Sequence, residues 1–177
     1  MKLFWLGMAA LMSVWLQHPD QKDPDLDETD TVAIAKANFL FQFALGNEWP
    51  NQAKEGFFRI AVIGSPNVYQ DLVARYASKP IGNQPIEVVL LPDAKIKEYY
   101  HMIYVGRSQD ALLPSVIEQV TGKPTMVVSN AIITSQQGVI ISFIIKDSMT
   151  RYVINAEEAE KRKILIGSKI LSWAISN

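Results

Sequence analysis

The 177-residue chain contains no cysteine. That excludes disulfides, thiolate metal sites and cysteine nucleophiles. Histidine is scarce, with His18 and His101 alone. Zinc needs three or four protein ligands, and one histidine in the body with scattered carboxylates is poor provision. No G-x-S-x-G elbow is present, so serine-based acyl transfer has no support. The first strand-to-helix turn, Gly64-Ser65-Pro66-Asn67, lacks the G-x-G-x-x-G pattern. Gly122-Lys123-Pro124 is no phosphate loop, because proline removes a backbone donor there. An excess of either charge is missing as well. Seventeen Lys+Arg stand against 18 Asp+Glu, for a net charge of -1. A field that draws the whole protein onto nucleic acid is thereby excluded.

What is present is an ordinary globular composition, 49% hydrophobic and 20% charged with 9 Gly and 9 Pro. The length fits one domain that buries a full core without covalent staples. Residues 1-17 read as a secretory signal. Lys2 supplies the positive start, and Leu3 to Leu16 is a run of 14 residues, apolar except for Ser13. The run falls short of the roughly 20 residues that span a bilayer. No clear small-x-small cleavage site follows, so an uncleaved anchor is the alternative. Residues 18-31 carry six acids and one base and read as a solvated spacer. From Thr31 onward 15 bases face 12 acids, a mild positive balance.

The body, 32-177, alternates helical and strand signals. Thr31 to Leu45 reads as a helix that is apolar on nearly every side. It packs on several neighbours or docks on a partner. Phe57 to Ile63 and Ile86 to Leu91 read as strands flanking a helix from Val68 to Ser78, with Ser65 and Pro66 at its start. His101 to Val105, a helix over Gln109 to Thr121 and the strand Thr125 to Ser129 repeat the unit. Val139 to Lys146 and Thr150 to Asn155 read as a hairpin turning at Asp147-Ser148. Short helices follow, the first capped by Asn155 and the second covering Ser168 to Ile175. The prediction is an α/β domain: a mostly parallel sheet, helices on both faces, and an antiparallel edge near the C-terminus.

The order of landmarks resembles the YfiR-like family of periplasmic proteins. They are Trp49-Pro50, FFRIAVIG, IGNQPIEV, YHMIYVG, GKPTMVVSN, QGVIISF and the ending YVINAEEAEKRKILIGSKILSWA. The resemblance covers about residues 32 to 175. It implies an exported α/β domain, often dimeric, that represses an inner-membrane diguanylate cyclase and lowers cyclic-di-GMP and biofilm formation. Family members often carry cysteine before the histidine of the third strand; Tyr100 stands there in this chain. Disulfide tuning therefore cannot operate.

No catalytic, metal or cofactor residue is assigned. His101 reads as structural. Lys161-Arg162-Lys163 reads as a solvated helix face. Two surfaces remain. A ligand edge would use Ser65, Asn67, Arg107, Ser108 and Asn130, because α/β folds bind small molecules beyond strand C-termini. A partner or dimer surface would use Phe39, Phe43, Trp49 and Trp173, large apolar residues at the first and last helices. The function expected is non-enzymatic restraint of a membrane signalling protein, with a small-ligand or envelope-binding module as the alternative.

Overall fold

The computed structural model describes residues 30-131 and 137-175. The expected signal and nearly all of the acidic spacer lie outside them. Helix α1 (Asp30–Gly46) opens the fold, followed by β1 (Phe58–Ile63), α2 (Pro66–Tyr76) and β2 (Ile86–Leu91). Next come β3 (Met102–Val105), a 3-10 turn (Arg107–Leu112), α3 (Leu113–Val120) and β4 (Met126–Ser129). The hairpin β5 (Ile141–Lys146) and β6 (Met149–Ile154), then α4 (Ala156–Lys161) and α5 (Ser168–Trp173), complete it.

The strands form one sheet in the order β2-β1-β3-β4-β5-β6. All neighbours are parallel except β5 and β6. This is the α/β architecture the alternation predicts. Strand β1 shows why it is buried on both faces. Phe58, Ile60 and Val62 join the core under α1 and α2, while Ala61 and Ile63 join the core under α3. A strand covered twice has no polar face to spare. The hairpin turns at Asp147 and Ser148, whose φ values of 51° and 60° match the twist of a two-residue loop.

Two helices depart from their expected outlines. The segment after β3 does not run as one helix. Pro114 lacks an N–H and sits in the first turn of α3, so the regular helix starts at Leu113. The preceding residues form the 3-10 turn, broken at Gln109 (φ -121°). The last helix ends at Trp173, short of Ile175, whose backbone N–H instead donates to Tyr152 O on β6 (2.9 Å).

The all-round apolarity of α1 also finds its cause. The helix packs against α2, α5 and β6, which bury Ala33, Ala37, Leu40, Phe41, Phe43 and Ala44. Its C-terminal end is gripped by α5. Ile170 lies over Gly46, Gly167 approaches Gly46 O, and Asn47 Oδ1 accepts from Gly167 N–H (3.0 Å). Glu48 and Leu165 exchange two backbone bonds of 2.9 Å beside this contact.

Candidate functional site

The carboxyl ends of β1 and β3 mark the place where the strand order reverses. That is the crevice where open α/β sheets hold ligands. Ser65 stands at the N-cap position of α2, Asn67 in its first turn, and Arg107 and Ser108 open the 3-10 turn. The loops bearing them touch. Ser108 Oγ donates to Gly64 O (2.8 Å). Gln109 lies against Gly64, and Ser65 is buried beside Gly106. A Cβ on Gly106 would fall 2.6 Å from Gly64 O, so the two backbones meet where a ligand would enter. All five expected edge residues therefore stand at the carboxyl end of the parallel strands, four of them around the β1–β3 crevice, which Ser65 and Ser108 help close.

Asn130 lies farther along, beyond β4. Its Nδ2 donates to Tyr104 Oη (3.1 Å), and the Lys36 ammonium lies over the Tyr104 ring, 5.7 Å from its centre. Lys36 is only 4% exposed, although it stands on α1. Sequence reading passes over it, because a lone lysine in an apolar helix gives no sign of its partner. That partner chemistry comes from the 3-10 turn. Asp110 interacts electrostatically with Arg107 and with Lys36, which favour its charged form. Burial pushes the other way and is the larger effect, so the carboxyl is held above its usual range. Its buried Oδ1 takes no hydrogen bond among the described residues.

The apolar candidates divide. Phe43 and Trp49 are buried within the subunit. Phe39 is half-buried and packs edge-on against Tyr152, 5.2 Å between centroids. These three serve the core of α1 and its connector, which removes Phe43 and Trp49 from any partner surface of the folded subunit. Trp173 alone remains well exposed.

His101 is the hub of that connector. Its Nδ1 accepts from Arg59 N–H (3.0 Å), which places the ring proton on Nε2, facing Ala53 O at 2.6 Å. Phe58 stacks on the ring at 4.3 Å, and Trp49 Nε1 donates to His101 O (3.2 Å). Burial, with a smaller effect of the Arg59 charge, holds the imidazole below its usual pKa. The ring is neutral with both nitrogens committed, which leaves it no free nitrogen for general base work. Of the acids in the segment leading to β3, Asp93 accepts from Lys95 N–H (2.8 Å) and Glu98 pairs with Arg59 (3.2 Å).

The basic triplet needs correction. Lys161 and Lys163 are exposed, but Arg162 is 4% exposed. Its Nη1 donates to Val120 O and Thr125 O and its Nη2 to Gly138 O, at 3.1 to 3.2 Å. Its Nε pairs with Glu158 (3.3 Å). A helical face of charges concealed a clamp that joins α4 to the end of α3, the start of β4 and the entry to β5. A shallow cleft of about 250 Å3 lies beside it, lined by Ile117, Thr121, Gln137, Glu158 and Lys161. No group of three or more His, Asp or Glu side chains that could hold a metal occurs among the described residues.

The model of the YfiR/HmsC-like family matches residues 34-175. The chain belongs to that family. The YfiR/HmsC-like match begins in the first turns of α1 and ends just past α5, so it takes in the whole sheet. The YfiR/HmsC-like family is one of periplasmic regulators rather than catalysts. No helix among the described residues of this member is long and apolar enough to cross a membrane. No curated protein matches the chain.

Proposed function

We propose that this protein is an exported regulator that restrains a membrane signalling partner, most specifically a diguanylate cyclase with a sensor outside the cytoplasm. The observation that carries the reading is the YfiR/HmsC-like match across nearly the entire folded body. The physical features support it. The carboxyl-end crevice is closed by Ser108, Gln109 and the Gly64–Gly106 contact, as suits a compact binding module. The mechanism is preferential binding. A protein that binds one conformation of a sensor more tightly shifts the sensor toward it, by as much as the two affinities differ. A cyclase held in its inactive conformation is the expected outcome when the regulator is in excess.

The test is deletion of the gene in cells that retain a functional cyclase. Cyclic-di-GMP should rise, and re-expression of the full chain should lower it again. An unchanged nucleotide level in both strains overturns repression.

A further inference from the structure

Lys161 to Asn177 contains neither aspartate nor glutamate. Its exposed charges are all lysines: Lys161, Lys163 and Lys169. Between them stand Leu165, Leu171 and Trp173, exposed by 68%, 47% and 45%. Leu45, at the end of α1, is 48% exposed. The four apolar residues and Lys169 belong to segments that meet at the Gly46–Gly167 contact and the Glu48–Leu165 bridge, and Lys163 lies two residues before Leu165, so one end of the molecule carries them. The Lys169 ammonium lies over the Trp173 ring, 4.7 Å from its centre.

We propose that this end of the molecule docks peripherally on the anionic surface of a phospholipid bilayer. Four exposed large apolar side chains gathered at one end mark an interaction surface. The accompanying charge selects the occupant. Lys161 is already paired with Glu157 (2.9 Å), which leaves Lys163 and Lys169 to face outward in an acid-free stretch. The exposed Glu48 sits at the border and sets a limit to the patch. Interfaces between proteins favour arginine and are depleted in lysine. Here the single arginine of the stretch is buried in the fold, and the exposed cations are flexible lysines that reach headgroups while their stems cover apolar surface. Tryptophan beside lysine is the composition of the membrane–water boundary, where an amphipathic ring settles at headgroup depth. The site uses none of the residues Leu3 to Leu16 and is independent of which signalling protein is the partner.

The absence of cysteine makes the test clean. Leu171→Cys in the full chain takes one environment-sensitive fluorophore, and Ser78→Cys, exposed after α2, takes the same probe as reference. On phosphatidylglycerol vesicles the probe at 171 should brighten and shift to the blue. It should stay unchanged on phosphatidylcholine vesicles, and the probe at 78 should stay unchanged on both. Local insertion is read at each site, so attachment through Leu3 to Leu16 cannot imitate it. Lys163→Glu together with Lys169→Glu should raise the lipid concentration for half response by more than about 25-fold, since each lysine lost from an anionic surface counts for about fivefold and each new carboxylate is repelled in addition. If Leu171→Cys impairs folding, the exposed Ser172 on the same helix carries the probe. A probe silent on phosphatidylglycerol, an equal response on both lipids, or indifference to the charge reversals overturns the proposal. A lipid-free shift that grows with protein concentration also overturns it and assigns the surface to a second copy of the chain. Cyclic-di-GMP levels, which test the regulatory reading, do not enter any of these outcomes.

Discussion

At the scale of single residues, two buried polar side chains hold the molecule together in different ways. His101 works as a neutral connector. Protonation would turn Nδ1 into a donor facing the Arg59 N–H, so the fold favours the uncharged ring. Its pKa is lowered in the folded state, so the unfolded chain binds the proton more readily. The contribution is therefore complete above the ordinary histidine pKa of 6.5 and is lost as pH falls below it toward the folded value. Urea unfolding between neutral and mildly acidic pH should show this slope, and His101→Phe should flatten it. The same substitution should cost about 2 to 3 kcal/mol at neutral pH, because Arg59 N–H and Ala53 O lose their partner. Arg162 works as a charged connector. Arg162→Met should cost about 3 to 5 kcal/mol in the same measurement, since three carbonyls and Glu158 lose their donor. A loss below about 1 kcal/mol would show that water replaces the guanidinium there.

Elements show where local pattern suffices and where it does not. The strand Ile86–Leu91 falls where its apolar run lies, and Asn155 caps α4 through Glu158 N–H (3.0 Å) as its position predicts. Both follow from neighbours in sequence. The interrupted helix after β3 was legible in principle too, because Pro114 forbids a regular turn before it; apolar spacing alone points to one long helix. Lys36, Arg162 and the burial of Trp49 were not legible. Their partners lie far away in the chain: Lys36 meets Tyr104, Arg162 meets Val120, and Trp49 meets His101. Residue type says that such groups need partners and leaves open which. The same holds for the crevice. Gly64 and Gly106 are visible as punctuation, yet their mutual contact depends on β1 and β3 lying side by side. Gly106→Ala would set a Cβ 2.6 Å from Gly64 O and should cost about 1 to 3 kcal/mol. A thermal midpoint equal to that of the parent protein would show that these loops have slack.

For the whole molecule, sheet order decides what the surface offers. Placing β1 and β3 at the reversal point creates a ligand crevice by topology, and the loops then occupy it. The family match, 34-175, coincides with the folded body. Its regulatory reading thus belongs to the domain as a unit. Removal of the chain from Gly167 onward takes away Ile170, buried against α1, and the backbone bond to Asn47. Such a truncated protein should lose cooperative thermal unfolding, which scanning calorimetry would reveal. A sharp transition at the parent temperature would mean that the sheet is stable without its closing helix.

The clasp between Asn47 and Gly167 joins residues 120 positions apart. Synthesis and any passage through a narrow channel proceed from the first residue to the last. The clasp is thus among the final contacts the growing or threading chain can make. Until then α1 presents uncovered apolar surface, which a holding chaperone can grip. Lateness of closure is therefore written into the architecture: the chain stays pliable until its last segment is in place.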